Sequence, residues 1–513
     1  MAYNQFIQSL DLSNSEALRV RALLESQATD DLEQIATSST GQNVALASSI
    51  AKIVFRENIG WIGPDSENYI ATCEANWSAT CHLHPSCIIQ PADKHDVAKA
   101  LQIITTLKVP FAIRSGGHNP NRGWASAGEN AILIDMNRIC NVVLSQDKKT
   151  VEIGPGNRWQ KVYETLDGSG VSVIGGRTGD VGIGGLILGG GFPSFSSEYG
   201  LACDNVRSFE MVLSDSSIVN ASRTENPDLF WALKGGGSNF GIVTKFTYWT
   251  VPIDKIWFAA RIYEPSANEQ ILKAIETWQK AAENERRGSI IHHIGHKRTL
   301  LGWIYSSPVE FPPLFEMFYD IPYESWFVEP TIGTILDFTK STSNRVLGTP
   351  QKLRREAFGI TTRPNTEFHT LAYDRWRQVT DQLYEQTGCD MGMVVQPLTT
   401  SAMKIGRENG GNALNTAVEP QQWMSYLAQW VKEDDDEPVR KAVFELRDYL
   451  RENAARMGIL LPFVFMNNAT FAQDPLTGYG AQHIARMKEV SRKYDAEQVF
   501  QTLQGDGFLL RKV

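Results

Sequence analysis

Gly175-Gly-Arg-Thr-Gly-Asp-Val-Gly-Ile-Gly-Gly-Leu-Ile-Leu-Gly-Gly-Gly191 places nine glycines in seventeen residues. The run lacks the Ser and Gln of a flexible linker. Val181, Ile183, Leu186, Ile187 and Leu188 are threaded between its glycines, which predicts a packed segment. Packed glycines let bare backbone come against something large and flat, or offer N–H groups to an anion. The spacing is neither a dinucleotide fingerprint nor a phosphate loop ending in Lys-Ser/Thr. It reads as a cradle for a cofactor.

Two further glycine loops flank it. Val109-Pro-Phe-Ala-Ile-Arg-Ser-Gly-Gly-His-Asn119 reads as a short buried strand running into a loop whose amides suit a pyrophosphate, with His118 at its mouth. Leu233-Lys-Gly-Gly-Gly-Ser-Asn-Phe-Gly-Ile-Val243 leads into the apolar, β-branched run Ile242 to Val251. One such loop is weak evidence; three in this order are much stronger.

The chain has 513 residues, is 42% hydrophobic and carries a net charge of -9. That length supports two or three domains around a large core. Mild acidity without a basic stripe argues against a nucleic-acid partner. No window approaches the twenty apolar residues of a membrane span. The N-terminus lacks the basic start, apolar core and cleavage site of a secretory signal, so a cytoplasmic location with reduced thiols is expected for Cys73, Cys81, Cys87, Cys140, Cys203 and Cys389. Cys81-His-Leu-His-Pro-Ser-Cys87 and the trio His292, His293 and His296 invite a metal reading. The first fits an ordinary turn and the second alternates faces of a strand, so no metal is expected. Sequons begin at Asn76, Asn220 and Asn468 and are expected to go unused.

Along the chain, residues 1–60 look helical, with Asp11 to Glu16 a helix start. From 61 to 253 short β-runs alternate with helices such as Asp96 to Lys108 and Asn157 to Asp167. Residues 254–455 place helices (Ala267 to Glu283, Thr370 to Glu385, Gln421 to Lys432) among strand-like runs near 256–263, 290–305 and 390–396. This pattern suits an antiparallel sheet covered by helices. Glu433 to Glu437 reads as a solvated loop. Residues 456–513 are expected to return to the 61–253 unit. The fold class is α+β.

The ordered set resembles the berberine-bridge-enzyme-like flavoproteins of the vanillyl-alcohol-oxidase, PCMH-type FAD-binding superfamily. It comprises Arg-Ser-Gly-Gly-His, the Gly175–Gly191 run, Cys203-Asp-Asn-Val206, Asp228-Leu-Phe-Trp-Ala232 and Gly-Gly-Gly-Ser-Asn-Phe-Gly-Ile-Val. Gln473 to Gly480 and Tyr494 to Gln501 are similar to the family's closing segment. The resemblance is strong over roughly 60–255 and 405–510 and looser between. It implies a two-part FAD-binding domain, with residues 254–455 as the substrate domain.

Residue by residue, the resemblance implies that His118 bonds covalently to the flavin 8α-methyl carbon. Arg114, Ser115, Gly116, Gly117 and Asn119 would hold the pyrophosphate, although Arg114 has the alternative of pairing with an acid. Val181, Gly182, Gly184, Gly185, Gly189, Gly190 and Gly191 would close on ribityl and ring, and Gly241, Ile242 and Val243 would frame the adenine side. Asp204 and Asn205 could touch the cofactor or merely form a turn. Many relatives attach the flavin a second time, through a cysteine where this chain has Thr178, so attachment through His118 only is implied. Val181 matches a gate over flavin carbon 4a, where a valine leaves space for dioxygen.

The family's Tyr-x-Asn-Tyr motif, whose second tyrosine serves as base, reads Phe465-Met466-Asn467-Asn468 here. Asn467 would orient substrate or flavin, or cap a strand. Tyr373, His369, Tyr479 and His296 are left as candidates to replace the base, which a hydride donor requires. Gly410 to Leu414 is expected beside the substrate pocket. The aromatics from Trp303 to Phe327 suggest a greasy pocket, most of them as core. The implied activity is that of an FAD-dependent oxidase acting on a small secondary metabolite, with dioxygen as partner and hydrogen peroxide released. A redox-neutral cyclase or pericyclase, and a dehydrogenase with another acceptor, stand as alternatives.

Overall fold

A computed structural model describes residues 2–27, 32–57, 59–346 and 352–513. Its helices and three sheets form an α+β molecule. The first sheet orders Trp61–Ile62, Cys87–Ile89, Ile132–Asp135 and Phe111–Arg114, the last three parallel. Parallel neighbours need a crossover, and Lys94–Leu107 supplies it, with the Asp93 carboxylate accepting from the amides of His95 and Asp96 at its start. The N-terminal helices Ala2–Ser9, Leu32–Ala36 and Thr40–Phe55 pack against that crossover helix, and Asn14–Glu25 packs on Ala2–Ser9 and Thr40–Phe55, in one apolar cluster. Ser13 and Glu16 form a reciprocal capping box at the start of Asn14–Glu25.

The second sheet is antiparallel and orders Val142–Leu144, Thr150–Ile153, Ile242–Trp249, Val206–Val212 and Ile218–Ser222. The chain's end returns to these two sheets. Phe111 N donates to Leu503 O, the Phe500 ring meets Phe111 edge-on at 5.9 Å, and Ala481–Tyr494 packs on Pro227–Leu233.

The third sheet has seven antiparallel strands, in the order Ser325–Gly333, Ile256–Tyr263, Thr299–Tyr305, Gly288–Ile294, Asp390–Leu398, Gln421–Trp430 and Arg354–Thr362. Asn268–Ala282, Thr366–Thr387 and Asp436–Arg456 pack with it in a single apolar cluster, which also takes in Trp303, Phe315 and Phe318. The segment 421–432, expected to be helical, is instead a strand over Gln421–Trp430. Its register with both neighbours runs unbroken for nine residue pairs on each side, and these ladders override the helical reading. The acidic run is not wholly a solvated loop either. Asp436 opens the long helix, and its carboxylate accepts from Arg354 and from Trp430 Nε1.

All six cysteines are free thiols. Among the described residues no group of three His, Cys, Asp or Glu side chains is placed to hold a metal, and no helix is long and apolar enough to cross a membrane.

Candidate functional site

Strand Phe111–Arg114 ends in the loop carrying His118, and this loop crosses the glycine run at backbone contact. A Cβ on Gly116 would stand 2.4 Å from Gly182 Cα, and one on Gly182 would stand 2.4 Å from Gly116 N. Real Cβ atoms never approach backbone so closely, so only glycine allows this crossing. Ser115 Oγ locks it by donating to Pro155 O at 2.5 Å and accepting from Gly184 N at 3.1 Å. From the far side Asn467 staples the run: Nδ2 donates to Gly185 O at 3.0 Å, and Oδ1 accepts from Gly191 N at 3.2 Å.

These loops enclose a cavity of about 270 Å³. Its walls include Ser115, Gly116, Gly117, His118 and Asn119 from the first loop, and Val181, Gly182, Gly184, Gly185 and Gly189 from the run. Gly241, Ile242 and Val243 come from the third loop, and Asn467 from the C-terminal region. Sequence reasoning missed Trp124, Met466, Gln504 and Phe508, which also line it. Asn239 ties the returning tail down by donating to Phe508 O at 2.9 Å, and Trp124 meets the Phe508 ring edge-on at 4.4 Å.

His118 is held by residues far apart in sequence. Its ring stacks on Trp77 with centroids 4.1 Å apart, and the Arg355 guanidinium covers Trp77 at 4.2 Å. Trp77 N donates to Gly117 O at 2.9 Å, and Arg355 Nη1 donates to Trp77 O. His118 Nε2 makes no well-aligned hydrogen bond; the nearest acceptor is Asp180 Oδ2 at 3.4 Å. Burial pushes the Asp180 carboxyl up, but His118 and Arg158 outweigh it and hold the group below its usual range. Asp180 is therefore an anion facing a ring nitrogen of the cavity-lining His118. It sits inside the glycine run itself, the one sequence signal that could have flagged it.

Several expected site residues lie elsewhere. Arg114 turns away from the cavity and is buried, donating to Asp135 at 2.9 Å and to Thr72 O and Asn76 Oδ1. A buried guanidinium requires such a partner, so the acid-pairing alternative holds. Thr178 is outside the lining; its carbonyl accepts from Val181 N and closes the turn. Gly190 and Gly191 pack under the run against Leu414, Leu186 and Ala202.

The base candidates fare similarly. Tyr479 is buried and donates to Gly235 O at 3.0 Å, burial pushing its phenol far up. His369 is buried in the core of the seven-stranded sheet, and Tyr373 packs on Trp376 in that core. His296 pairs with Asp381 at 2.9 Å. None of the four lines the cavity. Asp204 and Asn205 are buried turn formers, bonding Leu201 N and Tyr199 O. Gly410 to Leu414 backs the run from behind: Asn412 donates to Asp204, and Leu414 packs under Gly190 and Gly235.

Side-chain-free walls from three glycine loops suit a flat ring joined to a phosphate chain, since a Cβ would fill the space and bare amides remain for an anion. His118 lines the same cavity, its Nε2 turned to the Asp180 carboxylate. A cradle of this kind defines an FAD-binding protein, and a model of the family described as FAD binding domain matches residues 85–222. An FAD-dependent monooxygenase of Arthrobotrys oligospora is 36% identical over 448 residues, covering 87% of this chain and 86% of its own. The bifunctional solanapyrone synthase of Alternaria solani is 34% identical, covering 87% and 85%. Among solved structures, Physcomitrella patens BBE-like 1 has a TM-score of 0.72 at 17% identity, covering 92% of this chain and 99% of its own. The 6-hydroxy-D-nicotine oxidase of Arthrobacter nicotinovorans has a TM-score of 0.70 at 20% identity, covering 87% and 98%. The chain belongs to the FAD-dependent oxidoreductase family of these curated relatives, and its fold is that of the berberine-bridge-enzyme-like flavoproteins.

Proposed function

We propose that this enzyme is an oxidase that takes a hydride from a small organic secondary metabolite and passes the electrons to dioxygen, giving hydrogen peroxide, with FAD attached through His118 alone. Bound FAD supplies two-electron acceptor chemistry. Ser115 to Asn119 are assigned to its pyrophosphate, Val181 to Gly185, Gly189 and Asn467 to its ring, and Gly241 to Val243 to its adenine side. The observation that carries the reading is the cavity-lining His118 clamped on Trp77, with Asp180 Oδ2 3.4 Å from its Nε2. Trp77 fixes the ring plane, and the carboxylate favours the proton on Nε2, leaving Nδ1 as the nucleophilic nitrogen.

Flavin is expected to stay on the protein after acid denaturation, and on a single proteolytic peptide, the one containing His118. His118→Ala should release it all. Complete release from the unsubstituted protein, or a second flavin-bearing peptide, would sink single attachment.

Val181 supports the dioxygen half. It is half-buried, lines the cavity and packs on the core beneath. One more methylene there leaves less room for a diatomic ligand. Val181→Leu is expected to slow reoxidation of the substrate-reduced enzyme by more than about tenfold, with anaerobic reduction unchanged. Equal stopped-flow rates for the two proteins would remove Val181 from the oxygen reaction. One peroxide per substrate consumed separates an oxidase from the monooxygenases after which several relatives are named.

One observation favours a redox-neutral cyclisation as the second reading. The cavity's only charged or titratable side chains among the described residues are His118 and Asp506, and Asp506 is engaged by Lys512. Anaerobic conversion of substrate by an enzyme whose flavin stays oxidised would favour that reading over the oxidase.

A further inference from the structure

Residues 74–79 lie between the His118 loop and the edge of the seven-stranded sheet, bonded to both. On the loop side Trp77 N donates to Gly117 O at 2.9 Å, and Arg114 Nη1 donates to Asn76 Oδ1 at 2.9 Å. On the sheet side the partners come from the edge strand Arg354–Thr362 and the two residues before it. Ala79 N donates to Leu353 O at 2.8 Å, Arg355 N to Ser78 Oγ at 3.0 Å, and Lys352 Nζ to Glu74 Oε1 at 2.6 Å. Arg355 Nη1 adds a bond to Trp77 O, while its Nε donates to Gln429 Oε1 at 3.1 Å on the neighbouring strand. The sheet is thus stitched to the backbone that carries Trp77.

The side chains continue the seam. The His118 and Trp77 centroids are 4.1 Å apart with their planes 15° from parallel, and the Arg355 guanidinium lies 4.2 Å from the Trp77 ring. Two flat groups that close over one ring would collide on a single face, so they cover opposite faces. Imidazole, indole and guanidinium therefore form a three-layer stack. Arg355 is buried at one end of it, and His118 lines the cavity at the other. An unsupported imidazole turns about both of its side-chain bonds. Its nitrogen lone pairs lie in the ring plane, so a stack that fixes the plane also fixes the direction of attack.

We propose that Arg355 is a positioning residue for flavin attachment: it holds Trp77 against His118, so the histidine is aimed only once the seven-stranded sheet has docked. The inference rests on attachment through His118. That reaction joins an imidazole nitrogen to the flavin 8α carbon. One hydrogen leaves that carbon and one leaves the imidazole, both as protons, and two electrons stay on the flavin. Dioxygen takes up the electrons with two protons as hydrogen peroxide, so atoms and charge balance. Covalent locking of the cofactor thereby waits on completion of the fold. An arginine suits the outer layer because its planar guanidinium both stacks on an indole and donates to the carbonyl beside it, which a lysine ammonium cannot do.

The test follows acid-stable flavin over time in the full-length protein, produced under riboflavin limitation and then incubated with FAD in air. Total bound flavin is measured alongside it after ultrafiltration. Arg355→Met should attach flavin at least about tenfold more slowly while binding as much of it. Arg355→Lys should recover little of the rate, since it restores the charge without the flat face. Trp77→Phe should keep most of the rate, and Trp77→Leu should lose it as Arg355→Met does. Attachment at the native rate in Arg355→Met, or bound flavin lost in step with attachment in a folded variant, overturns the proposal. Where Arg355→Met does not fold, the Trp77 pair decides: equal rates for Trp77→Phe and Trp77→Leu overturn it. An unsubstituted protein without acid-stable flavin overturns attachment through His118 itself. One that attaches flavin while Arg355→Met keeps pace overturns only the positioning role.

Discussion

Gly182→Ala should purify largely without flavin and melt earlier than the native protein, whereas Gly185→Ala should lose flavin without any loss of stability in the cofactor-free state. The added methyl at Gly182 would stand 2.4 Å from the backbone of Gly116 and 3.2 Å from Ser115 Oγ. Backbone cannot rotate aside, so the two loops must separate. Overpacking costs about 1–3 kcal/mol even where side chains can yield. At about 1.4 kcal/mol per factor of ten, the affinity for free flavin before attachment should fall by one to two orders of magnitude, leaving much of the protein unloaded. Gly185 is the internal control. Its Cβ would meet no protein atom within 4 Å, its φ is not in the left-handed region, and it is exposed to the cavity. Alanine there suits the short helix Ile183–Leu188 and disturbs nothing in the protein. Only a cofactor lying against Gly185 can feel it. Full flavin loading in Gly185→Ala would show that the ring does not rest on this part of the run. A native melting temperature in Gly182→Ala would show that the loop crossing is not what shapes the cavity.

The contrast between these two glycines marks how much the sequence discloses. Glycine density and interleaved apolar residues announced a packed run, because a linker has no use for Ile183 or Ile187, both fully buried. Nothing local distinguishes a glycine pressed on another loop from one facing a cavity, since that depends on Gly116, far away in the chain. The support of His118 was hidden for the same reason. Trp77, Asp180 and Arg355 converge from three separate segments, and none has a spacing rule relating it to the histidine. The tyrosine and histidine candidates for the base failed differently. Tyr373 and Trp376 sit three apart on one helix and share its buried face. Composition shows that such a face exists, and only the sheet beneath decides whether it meets substrate or core. Strand Gln421–Trp430 was misread because it is central and buried along nearly its whole length. It therefore shows no alternation to betray a period of two.

Stability is expected to fall steeply as pH drops below 6, and two histidines that take no part in the chemistry should account for much of the slope. His292 on strand Gly288–Ile294 and His369 on helix Thr366–Thr387 are 1% and 0% exposed. Neither nitrogen of either ring has a well-formed hydrogen bond. Burial drives His292 down to about 3, aided by the charges of His293 and His369, and drives His369 down to about 4, against the pull of Gln422 and Glu276. In the unfolded chain both titrate near about 6.5. Between these limits the unfolded state binds the protons that the folded state refuses. The stability the two neutral rings allow is thus complete above about pH 6.5 and is lost as pH falls toward the folded values. Each histidine contributes a slope of up to about 1.4 kcal/mol per pH unit, so the pair approaches about 2.7 kcal/mol per unit near pH 5. Buried carboxyls pushed upward, such as Asp204 and Glu356, act with the opposite sign from about pH 4 up to their raised folded values. Substitution separates the contributions. His292→Leu and His369→Leu should each flatten the dependence of the denaturant midpoint between pH 6.5 and 5 by about half the pair's slope, and the double variant should remove the pair's share, leaving that of His293, which burial also pushes down. An unchanged pH profile in the double variant would mean that these rings already accept protons in the folded state, through a polar partner reaching them inside the core.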